Sequence, residues 1–150
     1  MAIAQAICNA FKKQLLEGDA NFTQTTGDKF KLALYLDTAN LSAATTSFTT
    51  TGQSTDTGSG DYASGGKNLA VGSQQTSVAS GVAIVDFADL SFTGVTLTAR
   101  GALIYNTSSA VTNAAVAVLD FGGDKTATAG TFTIQFPAFT TSAAILRISS

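Results

Sequence analysis

Residues 101–121 read GALIYNTSSAVTNAAVAVLDF, two apolar runs separated by a short polar segment. Each run has the length of a β-strand, and the Asn, Thr and Ser residues between them are typical of a turn. Residues 114–119, AAVAVL, are apolar at every position, which indicates a strand that is covered on both faces. This stretch therefore predicts a β-hairpin in the interior of a sheet.

Strand patterns continue on both sides of the hairpin. Phe30, Leu32, Leu34 and Leu36 alternate with other residues, as in a strand with one buried face. Further strands are predicted at residues 82–87, 91–97, 131–136 and 143–148. Short strands separated by turn signals predict a mainly β fold with a single N-terminal helix, either an antiparallel β-sandwich or a jelly-roll-like barrel. One domain over residues 1–150 accounts for the whole chain.

The N-terminal residues 3–17 predict the one α-helix. Ile3, Ile7, Phe11 and Leu15 recur every four residues and form an apolar stripe. Gly18 is placed to end the helix. The stripe either packs on the chain's own core, which amphipathic helices usually do, or docks on a neighbouring subunit. Its four residues are therefore also candidate assembly contacts.

Residues 45–80 form a segment rich in Thr, Ser and Gly, which predicts short strands joined by long loops. Phe48 and Tyr62 are scattered apolar anchors within it. Because long loops in a small domain usually serve a function or are ordered by a partner, both residues are candidate assembly contacts.

The composition bounds the classes of partner. Charged residues make up 12% of the chain, against about 25% in typical soluble domains, and a weakly charged surface favours assembly. The net charge of −2 argues against nucleic acid, which needs a basic face.

No apolar run is long enough for a membrane span. The N-terminus lacks the pattern of a signal peptide, so we expect synthesis in the cytoplasm, and Cys8, the single cysteine, allows no intrachain disulfide.

The sequence carries no catalytic signature that we can support. It has no histidine, which removes the commonest general base and zinc ligand, so we expect no enzyme, no cofactor and no metal. Residues 56–59, DTGS, spell the motif of aspartic proteases, but no apolar strand precedes them to hold Asp56 rigidly. A polar loop is the better interpretation. Two carboxylates, Asp120 with Asp124 or Asp56 with Asp61, supply too few ligands for calcium.

Arg100 is nearly alone among apolar strand residues. If residues 100–105 and 115–120 form a hairpin centred on Ala110, Arg100 lies opposite Asp120, and the pair would satisfy a charge at the end of the sheet. Their charged groups should then lie within about 4 Å of each other. The alternative is that both side chains point to solvent.

Four stretches resemble small virion proteins of tailed bacteriophages. They are AQAICNAFKKQLLEG at 4–18, DKFKLALYLDTANL at 28–41, TARGALIYN at 98–106 and AVAVLDFGGDKTATAGTFTIQF at 115–136. The resemblance implies a non-catalytic capsid decoration (cement) protein, made in the host cytoplasm and seated on the major capsid protein at the capsid surface. It implies a homo-oligomer, for which a trimer suits threefold lattice positions.

Two alternatives to a decoration protein stay open. The first is a tail, neck or fibre component of the phage. The second is a carbohydrate-binding module on the virion surface, against which the absence of Trp and the presence of only three Tyr weigh, because sugar sites favour exposed aromatic side chains.

Overall fold

The computed structural model describes residues 2–69 and 75–150. Over these residues the chain forms one short helix and two antiparallel sheets, an arrangement consistent with the predicted β-sandwich. The elements in chain order are β1 (Ala6–Ile7), α1 (Asn9–Glu17), β2 (Phe30–Tyr35), β3 (Lys67–Asn68), β4 (Gln75–Ala79), β5 (Val82–Asp86), β6 (Leu90–Asn106), β7 (Ala114–Ile134) and β8 (Leu146–Ile148).

The larger sheet has five strands in the order β1-β7-β6-β2-β3. At its centre Leu103 of β6 lies opposite Val118 of β7 and Ala33 of β2. All three residues are fully buried. Residues 114–119 of β7 are buried throughout, between β1 and β6, and this agrees with their apolar character on both faces.

The smaller sheet has the order β4-β5-β8. Aromatic rings join it and α1 to the larger sheet, because Phe22 stacks on Phe30 of β2 and meets Phe11 of α1 edge to face. Phe87, just after β5, contacts both Phe22 and Phe30. Pairs of rings at these angles contribute roughly 0.5–1.5 kcal/mol each beyond the burial of their area.

Strand lengths differ from the prediction. Residues 91–97 and 101–105 belong to one strand, β6, and residues 114–121 and 131–134 belong to one strand, β7. Gly94, Gly122 and Gly123 lie within register shifts of the β6–β7 ribbon rather than at turns, because glycine is as common in a β-bulge as in a reverse turn. The predicted strand at 143–148 is reduced to Leu146–Ile148.

The prediction of helix from residue 3 is wrong: α1 begins at Asn9. Ile3 instead makes a bridge to Leu41, and Ala6 and Ile7 pair with Val118 and Ala117 of β7. The four-residue spacing of the stripe holds, but pairing with the uncovered edge of β7 outweighs the helical pattern over these residues. Gly18 ends the helix as predicted, at a φ of 74°.

The described part of the loop-rich segment is tied to both neighbouring strands. Ser54 donates from its backbone N–H to Leu34 O of β2, and its hydroxyl donates to Thr98 O of β6. Gly60 packs against β6 so closely that a Cβ there would lie 2.6 Å from Val95 Cγ1. Within residues 45–69 β3 is the one strand, so the segment is mainly loop as predicted; residues 70–74 of it lie outside the described residues.

Candidate functional site

An apolar groove lies between α1 and one face of the smaller sheet, and we call it the α1 groove. The strand pairing builds its floor: Val85 lies opposite Leu146, and Ala83 lies opposite both Val78 and Ile148. Since side chains two residues apart share a face, these five side chains point the same way. Leu146 is buried in the core, whereas Val78 is 73% exposed and Ile148 60% exposed, so the apolar face continues beyond the part that the core covers.

Helix α1 forms the wall of the α1 groove. Phe11 and Leu15 face inward and pack on the core. Leu16, one position further along the last turn, is 91% exposed and also lines the groove. The helix therefore presents an apolar side chain to the groove that the chain's own core does not use.

The α1 groove has a volume of about 600 Å³ and an almost wholly apolar lining. Its charged lining residues are Lys12 and Arg147, and both are basic. Lys12 Nζ donates to Asn9 Oδ1 at 3.1 Å and Arg147 Nη1 donates to Ser142 O at 2.7 Å. Arg147 pairs with Ile84, so its side chain points to the face of the smaller sheet away from Ala83 and Ile148. Lys12, one turn before Leu16 on α1, is the charged side chain on the groove side.

A second cleft, of about 640 Å³, runs along the outer half of β7. Phe121 and Phe132 line it with ring centroids 6.1 Å apart, and its wall also includes Gln5, Lys125 and Thr133. Its lining mixes polar and apolar side chains, so the α1 groove is the more apolar of the two.

Residues 56–59, DTGS, form a polar loop, as the sequence predicts. Asp56 Oδ1 accepts hydrogen bonds from the backbone N–H groups of Thr96 and Gly58, and its Oδ2 accepts one from Gly60. The N–H of Thr96 does most to hold the pKa of Asp56 below its usual range. The general base of an aspartic protease shares a proton with a second aspartate, whereas this carboxylate is engaged by backbone donors of its own chain.

Asp61 ties the same loop to β6. Its Oδ1 accepts from the backbone N–H of Thr93 at 2.8 Å, and Lys67 Nζ lies 2.6 Å from its Oδ2. The bond from Lys67 lowers the pKa of Asp61 more than any other contact does. Asp56 and Asp61 thus hold the loop against β6 by accepting hydrogen bonds from the backbone of that strand.

Arg100 Nε lies 3.2 Å from Asp120 Oδ1, within the separation that the sequence predicts. The register is not the predicted one, however, because Asp120 lies opposite Gly101. Arg100 falls in an irregular step where Ala99 pairs with Lys125, so it faces the residues 121–124 of β7. The N–H of Gly122, followed by Arg100, lowers the pKa of Asp120.

The candidate assembly contacts occupy three kinds of place. Ile3, Phe11 and Tyr62 are buried in the chain's own core, which removes them from the accessible surface. Phe48 is partly buried and stacks on Tyr105 with centroids 4.8 Å apart. Ile7 and Leu15 are partly buried and line the α1 groove.

Sequence reasoning missed the exposed apolar residues of the groove. Leu16 lies off the predicted stripe, next to Leu15, and its position beside the stripe is a signal that could have been used. Val78 and Ile148 carry no such signal, because their common face depends on the pairing of β4 and β8 with β5.

The described residues give little support to a sugar-binding site, a metal site or a reactive cysteine. Tyr35, Tyr62 and Tyr105 are all buried, so none of the three tyrosines offers a face to a sugar ring. Within residues 2–69 and 75–150 no three His, Cys, Asp or Glu side chains are grouped closely enough to hold a metal ion. Burial raises the pKa of the Cys8 thiol to about 11, which disfavours the reactive thiolate.

No protein family, no curated protein and no solved structure matches this chain. In the part of the chain that the structure describes, no helix combines the length and the apolar character that a bilayer span requires.

Proposed function

We propose that this chain is a non-catalytic structural protein of a tailed-phage virion that decorates the capsid shell and stabilises it through subunit contacts. The observation that carries the proposal is the convergence of Leu16, Val78 and Ile148 on one groove. Single exposed apolar residues are common on soluble proteins, but a contiguous apolar surface marks a docking site. The resemblance of four stretches to phage virion proteins supports the proposal that the chain belongs to a phage particle.

The use of the carboxylates also favours a structural role. Asp56, Asp61 and Asp120 each accept backbone N–H groups. Their hydrogen bonds order loops and an irregular step of the β6–β7 ribbon, and this structural role accounts for the three carboxylates without a catalytic one. Ordered loops of this kind favour a rigid domain, which a lattice protein requires.

The larger sheet supports the proposal of a homo-oligomer. The outer edge of β7 is covered from Asn113 to Val118 by β1, by Cys8 and by residues 46–48, and beyond Val118 no described strand pairs with it. Unpaired strand edges invite a second chain unless charges protect them. We expect a symmetric oligomer, a trimer first, with interfaces that bury at least about 1,000 Å².

The location of the chain in purified particles tests this function. Reconstruction of the particles should show copies in symmetric positions on the outside of the head, and light scattering on the isolated chain should give the mass of an oligomer. Density confined to the tail, neck or fibres would replace the proposal by the second structural role. A chain that is absent from the particles would overturn both.

A further inference from the structure

We propose that the open edge of β4 is a two-fold contact, where β4 of a second copy of the chain adds antiparallel and joins the two smaller sheets into one. The contact is built by residues 75–79. It rests on the proposed homo-oligomer, to which it assigns a surface and a register.

Strand β4 is an edge that the described part of the chain leaves open. The smaller sheet has the order β4-β5-β8, and among the described residues no strand pairs with the other side of β4. Residues 76–79 are exposed. The strand contains no charged residue and no proline, which are the devices that usually block strand addition. The edge is therefore able to pair with a further strand.

The turn between β4 and β5 determines which backbone groups face the open edge. Ser80 and Gly81 form the turn, with φ values of 50° and 76°, and two positive φ values are typical of a type I′ hairpin. Ala79 and Val82 lie opposite each other on either side of it. In such a hairpin these flanking residues exchange both backbone hydrogen bonds, and hydrogen-bonded pairs then alternate along the ladder.

The backbone groups that point away from β5 are consequently those of Thr76 and Val78. Both residues can pair with a second β4 in a register centred on Ser77. In that register Thr76 exchanges both hydrogen bonds with the partner's Val78, and Val78 exchanges both with the partner's Thr76. The neighbouring registers leave one of the two facing a residue beyond the end of the strand. The register centred on Ser77 therefore satisfies the edge most completely.

The neutrality of the edge favours a second copy as its occupant. A two-fold contact brings a surface against itself, so a charge on the edge would meet the same charge, which opposes binding. Residues 75–79, QTSVA, carry no charge, and Thr and Val suit a strand. The partner's Thr76 would also lie beside Val78, which is 73% exposed, and would remove part of its apolar surface from water.

A cysteine on the two-fold axis tests the register. Ser77 would face the partner's Ser77 at a non-hydrogen-bonded position, where Cα atoms lie about 4.5 Å apart, within the range that a disulfide bridges. Ser77→Cys should therefore form a covalent dimer with oxidised glutathione, visible on a non-reducing gel. The parent chain should form none, because Cys8, its single cysteine, is fully buried.

A cysteine at the neighbouring position is the matched control. In Thr76→Cys the two thiols would occupy diagonal positions, with Cα atoms about 7–8 Å apart, which is too far for an unstrained disulfide. Both positions are exposed on the same strand, so accessibility does not distinguish them. Thr76→Cys should cross-link at least about tenfold more slowly than Ser77→Cys.

A charge on the edge tests the contact itself. Val78→Lys places a cation on the edge of β4, where the two-fold would bring it near its own copy. At a concentration at which the parent chain is fully assembled, this change should halve the mass in light scattering, because a two-fold contact joins two equal halves: a dimer becomes a monomer, and a pair of trimers becomes single trimers. Val111→Lys adds the same charge to an exposed residue outside the smaller sheet and should leave the mass unchanged. Circular dichroism should show both variants folded.

Several results would overturn the proposal: no covalent dimer of Ser77→Cys, equally fast cross-linking of Thr76→Cys, or an unchanged mass for Val78→Lys. A parent chain that stays monomeric in isolation would overturn it too and would leave the edge to a different protein. Failure of the proposed function has another signature. If Ser77→Cys forms its dimer but the chain is absent from purified particles, the contact stands and the virion role is wrong.

Discussion

Replacing Asp86 by Asn should stabilise the protein at neutral pH. Asp86 is only 3% exposed, and its Oδ1 accepts a hydrogen bond from the N–H of Phe87 at 2.9 Å. Its Oδ2 is buried without a hydrogen-bond partner among the described residues. Burial raises the pKa of this carboxyl, while the N–H groups of Phe87 and Ile145 oppose the rise and the nearby Asp89 adds to it.

The magnitude follows from the buried charge. Asn keeps the Oδ1 acceptor and still leaves one polar atom unpaired, so the cost of an unpaired buried group, about 1–3 kcal/mol, is common to both side chains. Asn removes the desolvated charge that raises the pKa of Asp86. Because one unit of pKa corresponds to about 1.4 kcal/mol, we expect a gain of about 1 kcal/mol in the free energy of unfolding. For a chain of this size that corresponds to a rise of roughly 2–4 °C in Tm.

The pH dependence gives the sharper test. Because the folded pKa of Asp86 lies above the ordinary value of 3.8, the folded state holds the proton more tightly than the unfolded state. The contribution of this group to stability is therefore complete below the ordinary pKa and is lost as the pH rises through the folded pKa. Asn does not titrate, so the advantage of Asp86→Asn should shrink toward zero near about pH 3.

Urea unfolding of both proteins between pH 3 and 7 measures the difference, and comparison at each pH cancels the effects of the other carboxylates. A variant less stable than the parent at pH 7 would refute the reasoning, because it would mean that the charged form of Asp86 is satisfied in the folded state. An advantage that stays constant down to pH 3 would refute it equally.

Three further outcomes are expected. Leu103→Ala, in the fully buried centre of β6, should lower the free energy of unfolding by about 2–5 kcal/mol, whereas Leu16→Ala on the exposed wall of the groove should leave it unchanged in denaturant unfolding. Arg100→Ala should cost no more than about 1 kcal/mol, and high salt should reduce that loss, since the side chains of Arg100 and Asp120 are 35% and 27% exposed. Asp56→Ala should speed hydrogen exchange at the backbone N–H groups that its carboxylate holds, and unchanged exchange there would contradict its role as a staple.

The strands that repeat apolar residues could be predicted from the sequence, but their exact pairing could not. The alternation in β2 and the apolar run 114–119 place both strands in the buried sheet, as observed. The predicted pairing, in which the two residue numbers sum to 220, is confirmed next to the turn, where Tyr105 lies opposite Ala115 and Asn106 opposite Ala114. An irregular step between Ile104 and Tyr105 shifts the rest of the hairpin by one residue, so that Leu103 lies opposite Val118. Such a step depends on backbone packing and leaves no local pattern in the sequence.

The α1 groove could not be predicted because it joins three distant parts of the chain. Leu16, Val78 and Ile148 come together only after β8 pairs with β5 and α1 packs beside the smaller sheet. Leu16 carries a local signal, its position beside the predicted stripe, whereas Val78 and Ile148 are ordinary apolar residues in their own stretches of sequence. The error at the N-terminus has a related cause, since residues 6–7 follow the edge of β7, which lies more than a hundred positions away.

The fold also explains how a weakly charged chain can lack protection at its edges. The chain has ten acidic residues, and several hold loops instead of facing solvent freely: Asp19 accepts from Ala110 N–H, Asp89 from Phe136 N–H, and Asp56 and Asp61 from β6. Carboxylates engaged in this way stabilise long loops that have few apolar residues to pack. Strand β4, at the edge of the smaller sheet, carries no charged residue, and strand edges without charges are the surfaces through which further chains add. Because the chain has few charged residues and several of its carboxylates bond to its own backbone, few charges remain at the surface to oppose assembly.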